Sequence, residues 1–328
     1  MPADDVASAD WRPKVAGIMP LYNKRDTVLD AIESMLAQSS PPDEIVIVDD
    51  GSTDGSGDLV ADKYVNHPLI RLIRQQNRGV SAARNAAIRA STAPILAFLD
   101  ADDKWLPRRV EEQAAIMVAN ESCMIVLGAA VLCNESMGRT WIEGDVIRRE
   151  TYLKEYFREQ HLPVCSGVMV RRAALNEVGM FDESLQMGED HDLWLRVMLR
   201  FGFAHHPKPV VWYRCCRPQT LASVERDFLG NDIYFAKHRY TFGRGISGRV
   251  IWGIAYAAVL RRHADWFFKH GEGWRALKKI TRALRLWPFF NPLPLTKSAV
   301  ACMLGPRAYQ SVVSLTHRLR RRRPNRAS

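Results

Sequence analysis

Ile95-Leu96-Ala97-Phe98-Leu99-Asp100-Ala101-Asp102-Asp103-Lys104-Trp105-Leu106-Pro107 is the stretch that decides the fold, because an apolar run ends there in three carboxylates. The run is short and follows a proline, which predicts a buried β-strand. Open α/β sheets bind ligands beyond the carboxyl ends of their strands, so we expect the three acids to lie in a binding crevice. The alternative is a solvated acidic turn before a helix, with an aspartate as the N-cap.

Carboxylates spaced as closely as Asp100, Asp102 and Asp103 repel one another unless a cation lies between them. A divalent metal is the simplest such cation. Oxygen ligands suit Mg²⁺ or Mn²⁺, which keep several waters and share the phosphates of a substrate. The stretch therefore predicts a metal site, and we interpret Trp105 and Pro107 as its framework.

A second apolar run also ends in acids. Glu44–Val48 predicts a buried strand, and Asp49-Asp50 and the turn-forming sequence Gly51-Ser52-Thr53-Asp54-Gly55 follow it. Val15–Pro20 predicts an earlier strand. Short apolar strands that alternate with helical segments are typical of a βαβ parallel sheet. We therefore expect both groups of acids on one rim of that sheet.

The overall composition is that of a soluble globular protein, with one large domain and an appendage or with two domains. Six cysteines form no C-x-x-C pair, so they indicate neither a zinc site nor a disulfide framework, and a reducing cytoplasm fits them. The acidic N-terminus argues against a signal peptide, and no window offers a clean apolar span of ~20 residues. We expect a cytoplasmic protein, either free or peripheral at the inner face of the cytoplasmic membrane.

Five motifs, in this order, resemble family 2 glycosyltransferases of the GT-A fold. They are Pro20-x-Tyr22-Asn23, Val48-Asp49-Asp50-Gly51-Ser52-x-Asp54, Asn77-x-Gly79-x-x-x-Ala83-Arg84-Asn85, Phe98-Leu99-Asp100-x-Asp102-Asp103 and Glu189-Asp190-x-Asp192-Leu193-Trp194. Each motif lies at the end of a predicted strand or the start of a predicted helix. The resemblance implies an α/β protein with a Rossmann-like, mostly parallel central sheet flanked by helices, and we expect a helical extension after it.

The same resemblance implies a metal-dependent enzyme, a glycosyltransferase of the hexosyltransferase kind. It would move a sugar, with inversion, from a nucleoside diphosphate to an acceptor hydroxyl. We expect a UDP-sugar donor and a saccharide or lipid-linked acceptor, in the biosynthesis of cell-surface polysaccharide, lipopolysaccharide or glycoconjugates. The implied cofactor is Mg²⁺ or Mn²⁺.

Six residues carry the implied nucleotide-sugar site, and one of them, Asp100, is shared with the metal. Pro20 and Tyr22 would border the nucleotide base, although Tyr22 could instead pack under its loop. Asp50 resembles the acid that holds the base, and Asp49 would lie beside it or merely orient it. Arg84 would reach the nucleotide or its diphosphate, because a guanidinium suits both.

The remaining implied residues belong to the metal and to catalysis. Asp100 and Asp102 resemble the ribose and metal contacts, with Asp103 as a further ligand or as support. The acceptor hydroxyl must lose a proton, which a carboxylate within hydrogen-bond reach can accept. Asp190 is our candidate base because it matches the second acid of the Glu-Asp motif, and Glu189 is the runner-up. A plain helix N-cap is the alternative for Asp190.

The domain organisation expected from these patterns has four parts. They are a flexible N-terminus at 1–12, the GT-A catalytic domain at 13–216, a helical, basic-amphipathic extension at 217–310, and a disordered Arg-rich tail at 311–328. The segment 273–287 combines an aromatic-apolar face with a basic face, which is typical of an interfacial helix. A peripheral membrane contact through 273–328 and a helical hairpin packed on the catalytic domain are both open.

Two other functions compete with this interpretation. A catalytically silent protein that binds a nucleotide-sugar would have lost some of the acids, and none is lost here. A nucleic-acid-binding protein would explain the net charge of +10 and the basic C-terminus. The chain shows no helix-turn-helix, zinc or aromatic RNA-binding pattern, so we expect no nucleic-acid partner. Residues 133–165 and 181–190 are expected to shape the acceptor side.

Overall fold

A computed structural model describes residues 12–133, 139–143, 163–185, 187–214, 221–241 and 244–286. The expected N-terminal segment up to residue 11, the Arg-rich tail at 311–328 and residues 287–310 of the extension lie outside the described residues. The described part divides into two compact units between Gly230 and Asn231. The expected domain boundary at residue 216 also lies outside the described residues.

The first unit is built on one mixed sheet. Its strands are β1 (Val15–Leu21), β2 (Glu44–Asp49), β3 (Ile70–Arg74), β4 (Ile95–Phe98), β5 (Lys104–Trp105), β6 (Ile125–Cys133), β7 (Arg139–Glu143), β8 (Met169–Arg171) and β9 (Ala204–Arg214). Their spatial order is β3-β2-β1-β4-β8-β6-β9-β5, with β7 also paired to β6.

The described helices are interspersed with the strands as far as β9, and the last three helices follow β9 with no described strand between them. They are α1 (Val28–Leu36), α2 (Ser56–Lys63), α3 (Val80–Ala90), α4 (Arg109–Ala119), α5 (Arg172–Val178), α6 (Glu189–Phe201), α7 (Leu221–Lys237), α8 (Ile246–Lys269) and α9 (Gly273–Leu286). This confirms an α/β domain followed by a helical part.

The direction of the strands divides the sheet into two halves. The strands β3, β2, β1 and β4 are parallel, as the alternating pattern predicted. The next strand, β8, runs antiparallel to both β4 and β6. It does so because the chain enters β8 at the edge where β4 ends, and Phe98 N donates to Val168 O there at 3.2 Å. The sheet as a whole is therefore mixed, and the mostly parallel arrangement holds for its N-terminal half.

The strands β1, β2 and β4 of the parallel half are buried on both faces, which explains their continuous apolar runs, whereas β3 is partly exposed. All seven residues of β1 are buried, and so are all four of β4. Gly17 lets α1 approach this layer closely, because a Cβ at that position would lie 3.2 Å from Met35 Sδ. The covered sheet fixes the strand ends as a rigid rim.

The register places the acids on that rim. Leu21 at the end of β1 pairs with Asp49 at the end of β2, and Ile18 pairs with Phe98 at the end of β4. Asp50 and Asp100 therefore leave the sheet at the same edge, which confirms the shared rim expected from the two acid-terminated runs.

The second unit is described mainly by α8 and α9. Ala276, Ile280 and Ala283 form the buried stripe of α9, and Trp274 is 69% exposed. Within the unit, Asp232 accepts from Tyr256 Oη at 2.6 Å and from Arg282 Nη1 at 3.0 Å. Across the described residues, no helix combines the length and the apolar character needed to cross a membrane.

Candidate active site

A cleft of about 520 Å³ opens at the carboxyl ends of β1, β2 and β4. Its lining combines carboxylates, cations and an apolar floor: Pro20, Leu21, Tyr22, Lys24, Asp50, Asn77, Gly79, Val80, Ala83, Arg84, Asp100, Ala101, Asp102, Tyr213 and Arg214. Six of the residues singled out from the sequence meet here, namely Pro20, Tyr22, Asp50, Arg84, Asp100 and Asp102. Asp49, Asp103, Glu189 and Asp190 are not among the lining residues.

The position of Asp50 is set by the turn that leads into α3. Its Oδ1 accepts from Gln75 Nε2 at 2.7 Å and from Arg78 N at 2.9 Å, and its Oδ2 accepts from Gly79 N at 2.8 Å. The carboxylate is 3% exposed. Three donors on one buried carboxylate hold it rigidly at the cleft wall and join the end of β2 to the start of α3.

Asp49 lies behind this wall and supports it. Its Oδ1 accepts from Ser52 N at 3.0 Å. Its Oδ2 packs so closely on α2 that a Cβ at Gly57 would lie 1.9 Å away. These contacts favour the second of the two roles that the sequence allowed for Asp49, in which it orients the turn and does not touch the nucleotide. Asp54 likewise fixes the turn, because its Oδ1 accepts from Ser56 N at 2.9 Å.

Arg84 is the buried cation of the site. From α3 its Nη2 donates to Asp100 Oδ1 and its Nη1 donates to Glu189 Oε1, each at 2.7 Å, and the guanidinium lies 5.3 Å from the centroid of the Phe181 ring. Burial alone would lower the Arg84 pKa, but the surrounding carboxylates, Asp100 first, outweigh burial and hold the pKa well above its usual value. Arg84 therefore remains charged and links the acidic turn to the start of α6.

The two acids at the start of α6 differ in their surroundings. Glu189 is 8% exposed, and burial, followed by the neighbouring Asp190 charge, raises its pKa even though Arg84 opposes the shift. The side chain of Asp190 is 18% exposed, and its Oδ1 accepts from His191 N at 2.8 Å. No side chain caps α6, which begins after Gly188 in the left-handed region. Glu189 is thus held in an ion pair with Arg84, and Asp190 is the more accessible carboxylate.

The acidic turn after β4 is held from several sides. Asp102 Oδ2 forms an ion pair with Lys24 Nζ across the cleft. Asp103 is 1% exposed, and it accepts from Ser166 Oγ and from Arg214 N. Burial, together with the Asp100 and Asp102 charges, raises the pKa of Asp103 well above its usual value.

Two acids of the turn, Asp100 and Asp102, are placed to receive a divalent cation. In the described ranges, no group of three or more His, Cys, Asp and Glu side chains is arranged to hold a metal by itself. Asp103 already gives both oxygens to Ser166 and Arg214 N and does not line the cleft. Asp100 and Asp102 do line it, with side chains 28% and 22% exposed. Mg²⁺ typically takes one or two carboxylates and completes its shell with substrate phosphates and water, so these two acids fit it.

Three residues of the site escaped the sequence analysis. Lys24 lies in the loop after β1, Ser166 in a 3₁₀ turn at Cys165–Gly167, and Arg214 at the end of β9. Lys24 follows the Pro20-x-Tyr22-Asn23 motif directly, which is a signal that could have been used. Ser166 and Arg214 carry no local signal, because long-range pairing alone brings them to the acidic turn.

Trp105, which the sequence indicated as framework, and Asn85 both form structural hydrogen bonds near the site. Trp105 is 3% exposed, donates from Nε1 to Phe98 O at 3.1 Å and stacks on Arg109 at 4.3 Å. Asn85 holds the segment before α6, since Phe181 N donates to its Oδ1 at 3.0 Å and its Nδ2 donates to Phe181 O at 2.9 Å. Asn85 thereby ties α3 to the segment that leads into α6.

A mixed α/β sheet with this acid-lined cleft at its carboxyl edge, followed by helices, defines the class: the chain has the GT-A fold of glycosyltransferase structures. Residues 18–179 match the glycosyl transferase family 2 domain. The chain therefore contains a family 2 glycosyl transferase domain, which spans 162 of its 328 residues.

Curated relatives support the family at moderate identity. The putative teichuronic acid biosynthesis glycosyltransferase TuaG of Bacillus subtilis is 29% identical over 195 residues, which are 59% of this chain and 75% of the relative. The succinoglycan biosynthesis protein ExoO of Rhizobium meliloti is 33% identical over 202 residues, 56% of this chain and 55% of the relative. The chondroitin synthase of Escherichia coli is 30% identical over 196 residues, and the chain spans 28% of it.

Solved structures share the fold. A mannosyltransferase from Pyrobaculum calidifontis, determined with GDP-Man and Mn²⁺, matches with a TM-score of 0.57 and 21% identity, over 96% of this chain and 87% of that one. Residues 1–349 of Staphylococcus aureus TarS, determined with UDP-GlcNAc, match with a TM-score of 0.53 and 16% identity, over 88% of this chain and 91% of that one.

Proposed function

We propose that the protein transfers a sugar, with inversion, from a nucleoside diphosphate to an acceptor hydroxyl, and that a UDP-sugar is its donor. The observation that carries the proposal is the cleft in which Asp50, Asp100 and Asp102 face Arg84, Lys24 and Arg214. Carboxylates can hold the base and ribose, and cations can face a diphosphate. The UDP-GlcNAc and GDP-Man complexes of the two GT-A structures favour a nucleotide-sugar in this cleft.

Each half of the site has a distinct task in the proposed reaction. Asp50 and the backbone at Pro20 border the base, while Tyr22, 47% exposed, can close over it. Negative charge grows on the diphosphate as the anomeric bond breaks, and a cation at the cleft that reaches the diphosphate stabilises that charge. A divalent cation, when bound at Asp100 and Asp102, supplies Lewis-acid stabilisation of the same charge.

Asp190 is the base of the proposed reaction. It is more accessible than Glu189, and the Arg84–Glu189 contact of 2.7 Å holds the start of α6 against the donor half. In the reaction, Asp190 would accept the acceptor hydroxyl proton while that oxygen attacks the anomeric carbon from the face opposite the diphosphate. Glu189, which is committed to Arg84, orients this segment.

The test is a screen of UDP-, GDP- and dTDP-sugars for donor hydrolysis and transfer by the intact protein. Asp190→Asn should lower kcat by about 10²- to 10⁴-fold, the range typical of a lost general base, with an unchanged melting temperature. Asp62→Asn, at an exposed position on α2, is the matched control and should keep full activity. Turnover by Asp190→Asn within a few-fold of wild type would refute the assignment.

Polysaccharide or lipid-linked acceptors fit the relatives, which include a teichuronic acid and a succinoglycan biosynthesis protein. Growth of such acceptors at the inner face of the cytoplasmic membrane would suit peripheral docking. The exposed side of α9 carries Trp274, Lys278, Arg282 and Arg285, a combination that favours an anionic membrane surface.

Vesicle flotation tests this docking. Lys278→Glu/Arg285→Glu should reduce binding to vesicles that contain phosphatidylglycerol, because each basic residue near such a surface contributes about 1 kcal/mol. The control, Lys14→Glu/Lys208→Glu, reverses two exposed lysines of the first unit. Equal flotation of both double variants would exclude α9 as the membrane contact.

A further inference from the structure

The loop that carries Lys24 has a fixed backbone and a movable side chain. Lys24 N donates to Ser56 Oγ at 2.9 Å, and Lys24 O accepts from Val28 N at 2.9 Å in the first turn of α1. Asn23, in the left-handed region at φ 50°, accepts from Thr53 N at 2.8 Å. The flexible four-carbon stem of Lys24 is therefore the part that can move.

The ammonium of Lys24 lies on the same carboxylate that would receive a divalent cation. Lys24 Nζ pairs with Asp102 Oδ2, and the two side chains are 19% and 22% exposed, so the pair borders the cleft. Asp100 lies on the same turn and is already bonded to Arg84 at 2.7 Å. A divalent cation that enters at Asp102 meets the ammonium as a competitor, because both need the same oxygens and repel each other.

The diphosphate of the proposed donor supplies a new partner for the displaced ammonium. A lysine is a compact cation with three donors and a long stem, and lysines of this kind bind phosphates as point charges. Arg84 cannot fill this role without giving up Asp100 or Glu189, since its two terminal nitrogens are bonded to those acids.

We propose that Lys24 is an exchangeable counter-ion: it neutralises Asp102 while the cleft lacks a donor and moves to the diphosphate when the metal and the donor enter. The diphosphate half of this inference rests on the proposed function, whereas the competition at Asp102 does not. Lys24 thereby couples binding of the cation to binding of the nucleotide. Each ligand binds more tightly once the other is present, because the same movement of Lys24 frees Asp102 for the cation and brings an ammonium to the diphosphate.

The test compares Lys24→Met, which keeps the length of the side chain without its charge, with wild type and with Lys63→Met. Lys63 forms an ion pair with Glu33 at 2.9 Å outside the cleft and is the matched control. Mn²⁺ binding is measured by electron paramagnetic resonance without nucleotide. UDP and GDP binding is measured by calorimetry with EDTA and again with Mn²⁺.

Without nucleotide, Lys24→Met should bind Mn²⁺ about tenfold more tightly than wild type, a change of roughly 1.4 kcal/mol. In EDTA it should bind the nucleoside diphosphate about tenfold more weakly. Lys63→Met should match wild type in both assays, and Asp102→Asn should lose the Mn²⁺ site.

An unchanged or weaker Mn²⁺ affinity of Lys24→Met overturns the competition at Asp102. Tighter Mn²⁺ binding with an unchanged UDP affinity in EDTA overturns the move to the diphosphate. A wild-type protein that binds no nucleoside diphosphate under any condition refutes the proposed function itself. In that case the Mn²⁺ measurement still decides whether Lys24 competes for Asp102.

Discussion

Replacing Arg84 with methionine should destabilise the first unit strongly and in a pH-dependent way. Arg84 is 3% exposed and bonded to Asp100 and Glu189 at 2.7 Å each. The substitution removes the cation and leaves Glu189 buried without its partner, and breaking a buried pair in this way costs about 3 to 5 kcal/mol. For a domain of about 200 residues this corresponds to a fall in melting temperature of roughly 6 to 20 °C.

The pH dependence follows from Glu189. Burial and Asp190 raise its folded-state pKa above the unfolded value, and Arg84 opposes that shift, so the substitution raises the pKa further. A carboxyl with a raised folded pKa binds its proton more tightly in the folded state, so stability is lost as the pH rises from about 4.5 through the folded pKa. The deficit of Arg84→Met should therefore be smallest near pH 4.5 and full above the raised pKa.

Urea unfolding and thermal melts at several pH values between 4.5 and 8 measure this effect. Arg89→Met is the matched control, because Arg89 lies later in α3 with a side chain 56% exposed. Glu189→Gln in the Arg84→Met background should restore part of the stability at pH 8. A melting temperature within 2 °C or so of wild type, or a deficit independent of pH, would refute the reasoning.

Two further substitutions test the wall of the cleft. Asp50→Asn should lower the free energy of unfolding in urea by about 1 to 3 kcal/mol, because an amide cannot accept from all three N–H donors. Gln75→Ala removes only one of those donors and should lower it by about 1 kcal/mol. Equal losses would contradict the idea that the Asp50 carboxylate holds all three donors. Gly57→Ala places a Cβ 1.9 Å from Asp49 Oδ2, and overpacking of this kind costs about 1 to 3 kcal/mol despite the better helix propensity of alanine. A thermal melt equal to that of wild type would mean that Asp49 turns away freely.

The parts of the site that follow strand ends were predictable from the sequence. Asp50 and Asp100 end apolar runs, and parallel strands bring such ends to one edge, as the register of β1, β2 and β4 confirms. The chemistry of each acid was less predictable, since it depends on distant partners. In the sequence Asp103 and Asp102 look equivalent. In the structure Asp103 is buried and accepts hydrogen bonds from Ser166 Oγ and Arg214 N.

The direction of the later strands could not be predicted from the local pattern. Three-residue β8 is too short for a periodicity to show, and its antiparallel insertion between β4 and β6 depends on where the chain enters the sheet. The pairing of Lys24 with Asp102 spans 78 residues and likewise leaves no local trace. In contrast, the helices α8 and α9 were predictable because glycines separate strongly helical segments.

The bond from Arg214 N to Asp103 has a consequence for biosynthesis. The two residues are 111 positions apart, and β5, which follows Asp103 directly, pairs with β9 just before Arg214. A ribosome that adds about 5 to 20 residues per second needs roughly 6 to 22 s to cover that distance. During this interval the nascent chain carries its parallel strands without the segment that closes the acidic turn. The acidic turn can therefore close only after Arg214 has been synthesised, and until then the edge of the sheet that β9 covers is open to other chains.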